Sequence, residues 1–301
     1  MCLKTPKGRE KEGGNTLAND IESRILAKQS GFSKGQKKIA AVILENYDKA
    51  AYMTAARLGE MVSVSESTVV RFAIELGYSG YPELQHAVQE LVRTKLTSNQ
   101  RIQISNQRLG RGDVLDSVLN ADVAKIKYTL ENINRKSFNM AVDALCTARR
   151  IYIFGVRSSE ALAAFLSFNL SLIFDNIRYV QPTSNGEVFE QMLDIGEEDV
   201  VFAISFPRYS TKLINAVKYA HAQGARVVSL TDSIMSPIAV NADYVLTAQS
   251  DMASYVDSLV APLSIVNAIL VAITQKKQDQ VTARFDKLER IWDEYNVYAK
   301  R

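Results

Sequence analysis

MTAARLGEMVSVSESTVVRFAIELGY, at residues 53–78, contains two helix starts close together. Thr54 and Ser65 are both favourable N-cap residues, and apolar residues follow each of them at helical spacing. The pattern predicts a short helix over residues 55–61, a turn at 62–64, and a second helix over 66–76 that ends at Gly77. Two short helices joined by a three-residue turn are typical of a helix-turn-helix motif.

The second helix of such a motif presents its first turns to the DNA major groove. Six apolar residues are expected to pack inside the helix pair, namely Leu58, Met61, Val69, Val70, Ala73 and Ile74. The residues left for DNA are Ser65, Glu66, Ser67, Thr68 and Arg71. An arginine suits guanine, and hydroxyl side chains suit base edges or phosphates. The alternative is that the two helices are surface helices of an ordinary bundle.

Flanking segments favour the DNA-binding interpretation. Residues 36–47 and 82–92 are predicted to form helices before and after the motif, with Pro82 suited to a first turn. Lys34, Lys37 and Lys38 cluster near the first of these helices, where they would contact phosphate or remain a solvated helix end. Residues 30–98 contain eight Lys and Arg against seven Asp and Glu, so bulk charge does not explain DNA binding.

The rest of the chain has a different pattern. Residues 1–19 are expected to be a flexible tail, 20–95 the helical DNA-binding domain, and 96–112 a polar, basic linker. Two helices are predicted over 113–148. Short β-rich runs then alternate with helices, which predicts an α/β domain up to residue 301, with five parallel strands and helices on both faces. The predicted strands cover residues 150–154, 177–180, 199–205, 226–231 and 243–247.

Two strand-to-helix loops in this second domain carry hydroxyl and arginine side chains. They contribute Arg157, Ser158, Ser159, Ser205, Arg208, Ser210 and Thr211. Free N–H groups at a helix start attract phosphate, and open α/β sheets bind ligands at the carboxyl ends of their strands. The alternatives are that each serine is a plain N-cap, and that the arginines point to solvent or pair with acids such as Glu160.

Composition sets further limits. The chain has 301 residues and a net charge of +3, and its cysteines, Cys2 and Cys146, have no metal-like spacing. We therefore expect a reduced, cytoplasmic protein without a metal or cofactor. The sequence contains no run of about 18 uncharged apolar residues, so we expect no membrane span, and the N-terminus lacks the apolar centre of a signal peptide.

These residues carry a resemblance to a known family. Residues 32–89 are similar to the N-terminal domain of the RpiR family of bacterial regulators, and SVSESTVVRFAIELGYSGYPEL, at 63–84, is the most specific part. Residues 150–275 resemble a sugar isomerase (SIS) domain, the usual partner of that domain. The resemblance implies operator DNA and a phosphorylated sugar as partners. It also implies that Ser159, Ser205 and Ser210 contact phosphate, with Ser158 and Thr211 as neighbours.

The sequence departs from the family pattern in both loops. The first loop often has Gly-x-Gly-x-Ser, and Arg157 replaces its second glycine here. The second often has Ser-x-Ser-Gly-x-Thr, and Pro207 and Arg208 replace its central Ser-Gly. The changes remove a hydroxyl and add two planar cationic groups suited to phosphate or carboxylate. We expect them to form an anion clamp.

A sugar-phosphate isomerase is the main alternative function, because a SIS-like fold supports that reaction. Isomerisation needs a base beside a carbonyl. His221 lies far along a helix from both loops, and Glu187 or Glu190 would be the nearest choice. No His–Glu pair is evident. We therefore expect no catalytic residues, and a symmetric homo-oligomer, dimer or tetramer, that regulates transcription of carbohydrate metabolism.

Overall fold

The computed structural model describes residues 18–109, 112–184 and 186–299 and forms two compact units, residues 1–91 and 92–301. The tail predicted over 1–19 lies outside the described residues up to position 17. Within these ranges, no helix combines the length and the apolar character that crossing a bilayer requires.

The first unit is helical. Its helices are α1 (Ala18–Lys28), α2 (Lys34–Glu45), α3 (Tyr47–Ala50), α4 (Ala55–Val62), α5 (Glu66–Glu75) and the start of α6 (Tyr81–Lys95). Thr54 caps α4 by accepting from the Arg57 N–H at 3.2 Å. Helices α4 and α5 are the predicted helix-turn-helix pair. Between them Ser63 adopts a left-handed conformation, with φ 58°, which ends α4.

The packed face of α5 differs from the predicted one. Phe72 is fully buried and meets the Phe32 ring edge-to-face at 5.2 Å between centroids. Met61 and Ile74, predicted to be core residues, are half exposed. That part of the prediction was wrong, because the buried stripe of α5 follows positions 69, 72, 73 and 76, and this spacing turns residue 74 outward.

One glycine allows the two helices to lie this close. A Cβ at Gly59 would stand 2.8 Å from the carbonyl oxygen of Val64 in the turn. No real side chain is found at such a distance, so the turn could not pack against α4 in its present position. The tight turn between α4 and α5 therefore depends on glycine at this position.

The second unit is built on a five-stranded, all-parallel sheet, as predicted. Its strands are β1 (Ile151–Gly155), β2 (Ile177–Tyr179), β3 (Val200–Ile204), β4 (Arg226–Thr231) and β5 (Tyr244–Thr247), in the order β2-β1-β3-β4-β5. The central strands β1 and β3 are buried along their whole length, which explains their continuous apolar sequence.

Helices cover both faces of this sheet. The helices of the unit are α7 (Ser98–Leu109), α8 (Val114–Asn132), α9 (Arg135–Thr147), α10 (Ser158–Ser171), α11 (Glu187–Gln191), α12 (Thr211–Ala222), α13 (Val260–Lys276) and α14 (Gln278–Glu294). Residues of α9, α10 and α13 share one apolar cluster, and those of α11 and α12 share the other. The predicted fold class is confirmed.

The segment predicted as a polar linker, 96–112, contains helix α7 instead. Thr97 and Gln100 form a capping box at its start, where the Thr97 N–H donates to Gln100 Oε1 at 2.9 Å. The Arg101 side chain is fully buried, and Ser105, one turn later, is nearly so. Apolar periodicity does not reveal this helix, because its buried side is polar.

Candidate functional site

The strand order places one crevice at a defined position in the sheet. From β1 the chain crosses to β2 through α10, and from β3 it crosses to β4 through α12, on the opposite face. The order therefore reverses between β1 and β3. In open parallel sheets, ligands bind outside the carboxyl ends of the strands at such a reversal. The two loops singled out from the sequence follow these two strands.

The loop after β1 is tight at both ends. A Cβ at Gly155 would lie 2.6 Å from the Ser159 carbonyl oxygen, so glycine lets the first turn of α10 lie against the strand end. Arg157 precedes α10 with φ 59° and ψ −129°, a conformation that strongly favours glycine. Ser158 is exposed at the start of the helix, and Ser159 is buried beneath it.

The loop after β3 also places an arginine with positive φ shortly before a helix. Ser205 directly follows the strand, where its N–H donates to the Leu230 carbonyl at 3.1 Å, and it is buried. Ser205 therefore lies at the end of β3 and not at the start of α12, and the strand predicted over 199–205 also ends at this residue. Arg208 is exposed with φ 67°. Ser210 is the N-cap of α12 and is partly buried, and Thr211 is exposed beside it.

Neither helix start uses a side chain as its own cap. Arg157 precedes α10 and Ser210 precedes α12, and no side-chain hydrogen bond caps either helix. The interpretation of Ser210 as a plain N-cap therefore finds no support in the geometry. Both helix starts keep their first backbone N–H groups and the positive end of the helix dipole available to an anion.

The two loop arginines adopt glycine-type backbone conformations, and within the described ranges no hydrogen bond or ion pair of their guanidinium groups offsets the strain. Among the described residues, neither guanidinium has a hydrogen bond or an ion pair in the structure, so Arg157 is not paired with Glu160. The pKa of Arg208 is lowered below its usual range, first by burial and then by the positive charge of Arg101; Arg157 lowers it further, and Asp257 opposes the shift. Cations in mutual repulsion at the mouth of a crevice favour an anionic ligand.

The loop after β5 joins this edge of the sheet to α7 and α8. Arg101 on α7 donates to Asp257 in this loop, with Nη1–Oδ1 at 2.8 Å, and both side chains are buried. Ser105 donates to the Ala253 carbonyl at 2.8 Å. From α8, Asp122 accepts from the Ser258 hydroxyl at 2.7 Å. Neither Arg101 nor Asp257 was predicted from the sequence, and the capping-box pattern at 97–100 is the one sequence signal for the helix that carries Arg101.

The groups considered for proton transfer are unsuited to it. The pKa of Glu187 lies below its usual range, because the Thr183 hydroxyl and N–H both donate hydrogen bonds of 2.6 Å to its carboxylate. The Ser184 N–H donates to the same carboxylate at 3.3 Å. Such a carboxylate is a weak base that caps its own helix. Glu190 is exposed, and His221 lies in the last turn of α12, at the far end from the loops.

The DNA-facing residues lie at the start of α5. The Ser65 hydroxyl is 2.9 Å from those of both Ser67 and Thr68. Arg71 lies one turn further along and donates from Nε to the Ser67 carbonyl at 3.3 Å. Glu66, Ser67 and Arg71 are exposed, and Thr68 is half-buried. A hydroxyl cluster beside an exposed arginine is suited to phosphates and base edges.

The lysines of α2 have different surroundings. Lys34 and Lys37 are exposed. Lys38 is exposed as well, but it donates to the Val62 carbonyl at 3.3 Å and so stabilises the end of α4. Ile74, which the sequence placed in the core, lies on the same face of α5 as Ser67 and Arg71, at positions i+7 and i+3. An apolar side chain on that face suits a thymine methyl group.

No three His, Cys, Asp or Glu side chains come together as a metal site within the described ranges.

Comparison with known proteins identifies both units. A model described as a helix-turn-helix domain of the rpiR family matches residues 19–95, and a model of the SIS domain matches residues 144–272.

Individual relatives match most of the chain. The HTH-type transcriptional regulator HexR of Escherichia coli (strain K12) is 25% identical over 279 residues, 89% of this chain and 91% of that protein. The sugar isomerase domain of an RpiR transcription factor from Sphaerobacter thermophilus is 25% identical with a TM-score of 0.55, over 58% of this chain and 97% of that one. The Vibrio vulnificus NanR protein complexed with ManNAc-6P shares the fold, with a TM-score of 0.59 at 21% identity, over 93% and 100% of the two chains.

The positive φ at Arg208 predicts a difference between two substitutions. Arg208→Gly removes the side chain and the backbone strain, whereas Arg208→Ala removes only the guanidinium. The glycine variant should be more stable than the alanine variant by about 1 kcal/mol. Urea unfolding followed by fluorescence of Trp292, the single tryptophan and part of the second unit, measures this difference. Equal stabilities would contradict the strained conformation.

Proposed function

Because the chain belongs to the RpiR family of helix-turn-helix regulators that carry a SIS domain, we propose that it is a transcription regulator whose operator affinity is controlled by a phosphorylated sugar. The proposed DNA-binding domain spans residues 20–95, and the proposed phosphosugar-binding domain spans 113–301. Such a regulator acts in the cytoplasm, where its DNA and its metabolite are both available.

One observation carries the effector half of this proposal. Two helix starts without side-chain caps follow β1 and β3 at the reversal of strand order, and each is preceded by an arginine in a glycine-type conformation. A phosphate there would accept hydrogen bonds from backbone N–H groups and from the hydroxyls of Ser159, Ser205 and Ser210. Ser158 and Thr211 lie beside these serines in the chain. Arg157 and Arg208 would add charge-assisted hydrogen bonds. NanR, a protein of the same fold, has a solved structure in complex with ManNAc-6P.

In the DNA-binding domain, the start of α5 would enter the major groove. Arg71 would read guanine, and Ser65, Ser67 and Thr68 would contact phosphates or base edges. Glu66 faces the same surface and would accept from a cytosine amino group. Lys34 and Lys38 would contact the DNA backbone, with Lys38 also holding the end of α4 in place.

A symmetric dimer of this chain would present two recognition helices to a palindromic operator. Helix α8 carries a stripe of exposed apolar side chains that fits a second copy. The stripe consists of Leu115, Leu119, Val123, Ile126 and Leu130. Contiguous apolar surface of this kind marks an interaction site, and a homodimer buries the same stripe from both partners.

We do not propose isomerase activity. The relatives that match most of the chain are named transcriptional regulators. The residue best placed to act as a base, Glu187, is occupied by donors from its own loop and has a lowered pKa. General bases work best when their pKa lies near the working pH, so this carboxylate is suited to capping rather than to proton abstraction.

Substitutions on the DNA face should separate base reading from phosphate contact. Arg71→Ala should weaken operator binding by about 1–3 kcal/mol, whereas Lys34→Ala should weaken all sequences alike and lower the salt slope by about one. Fluorescence anisotropy with a selected operator and with random DNA, across a salt series, measures both. Lys49→Ala, an exposed lysine beyond the far end of α2, is the charge-matched control and should bind as wild type. Unchanged operator binding in Arg71→Ala would mean that the recognition helix is misplaced.

A panel of phosphorylated and unphosphorylated sugars should raise the unfolding temperature only when the phosphate is present. A ligand at 100 times its dissociation constant adds about 2.7 kcal/mol. Ser210→Ala should weaken this binding by about tenfold, the effect of one charge-assisted hydrogen bond. Ser171→Ala, at the opposite end of α10, is the matched control and should bind as wild type.

The same samples test catalysis. NMR of the bound sugar after long incubation should detect no aldose–ketose interconversion. Turnover that depends on the protein and disappears in Glu187→Gln would establish an isomerase and overturn the assignment of a regulator alone.

A further inference from the structure

Four charged groups from four different segments lie at the carboxyl edge of the sheet: Arg101 pairs with Asp257 at 2.8 Å, and Arg208 experiences the charges of Arg101, Asp257 and Arg157. Arg157 and Arg208 lie in the loops after β1 and β3, Asp257 lies in the loop after β5, and Arg101 comes from α7. Three positive charges and one negative charge give this cluster a net charge of +2. A phosphate monoester carries about −2 near neutral pH, so it would neutralise the cluster.

Arg101 is the unexpected member of the cluster. Burying a guanidinium is costly unless a partner anion compensates for the lost hydration, and Asp257, at 2.8 Å, is an anionic partner of Arg101. The Arg101 side chain is fully buried and that of Asp257 is 9% exposed. Helix α7 offers few apolar side chains that would justify this burial by packing alone. A carboxylate and a phosphate present similar oxygens to the planar fork of an arginine.

We propose that Arg101 is a further ligand-binding residue, and that the phosphate of the ligand replaces the Asp257 carboxylate as its partner. The inference rests on the proposed phosphosugar site and extends it to a third arginine, contributed by the helix that follows α6 in the chain. The Asp257 carboxylate then acts as an internal competitor, which occupies Arg101 while the site is empty and sets the affinity of the site for anions.

The exchange would also change how the loop after β5 is held. Arg101 and Ser105 hold this loop from α7, and Asp122 holds it from α8. Breaking the Arg101–Asp257 pair would remove the ion pair from these contacts and leave the hydrogen bonds that Ser105 and Asp122 form with the loop. Ligand binding would therefore alter the attachment of α7, which lies next along the chain to the DNA-binding unit.

Two variants of the full-length chain separate direct binding from net charge. Asp257→Asn removes the competing carboxylate from Arg101 and raises the net charge of the cluster to +3, and it should tighten the binding of inorganic phosphate by about tenfold. The double variant Arg101→Gln, Asp257→Asn keeps the net charge at +2 and replaces the ion pair by a neutral hydrogen-bonding pair. It should bind phosphate about tenfold more weakly than wild type. Calorimetric titration with inorganic phosphate at constant ionic strength measures both affinities.

The matched control is the double variant Arg284→Gln, Asp175→Asn, which removes an exposed ion pair of 2.6 Å near the start of β2, at the opposite edge of the sheet. It should leave phosphate affinity unchanged, and thermal unfolding of every variant verifies that it is folded. If the Arg101 double variant binds phosphate as tightly as wild type, Arg101 is only a brace and the inference is overturned. If wild type shows no phosphate binding that Arg208→Ala reduces, the proposed site itself fails.

Discussion

The reversal of strand order between β1 and β3 is the constraint from which the rest of the second unit follows. Because β2 and β3 lie on opposite sides of β1, helices α10 and α12 must cross opposite faces of the sheet. The chain segments entering these helices diverge above the strand ends and leave a crevice between two helix starts. Gly155 permits the close approach at one side. The loops that carry the serines and the two strained arginines follow β1 and β3, the strands on either side of this crevice.

The two arginines connect backbone geometry with chemistry. Arg157 and Arg208 stand where the family pattern has glycine, and both keep the positive φ that glycine would adopt without strain. A residue held in such a conformation costs about 1–3 kcal/mol and persists only where the surrounding structure imposes it. Among the described residues, neither guanidinium has a hydrogen bond or an ion pair that would offset this cost. In the function we propose, the phosphate of the ligand would supply this offset, and the two arginines would make binding depend more on charge than it does in glycine-based loops.

The sequence was sufficient for features that are periodic or local. Continuous apolar runs predicted all five strands within two residues, and the N-cap pattern at Thr54 and Ser65 predicted both helices of the motif. It was insufficient where burial is polar or where the phase of a helix matters. Helix α7 buries Arg101 and Ser105, which no apolar pattern reveals. The burial of Phe72 in place of Ile74 is set by the partner ring of Phe32, forty positions away along the chain. Contacts between distant segments, such as Arg101 with Asp257, have no local signature.

Control of DNA binding by a phosphosugar is the central claim, and linkage gives it a direct test, since an effector that changes operator affinity must have its own affinity changed by the same factor. The measurement is a calorimetric titration of the sugar phosphate that gives the largest thermal shift, with and without saturating operator. We expect the two dissociation constants to differ by about 5–150-fold, the factor that corresponds to typical coupling energies. Equal affinities in the two titrations would leave a sugar-phosphate site and a DNA-binding domain in one chain, with no control of one by the other.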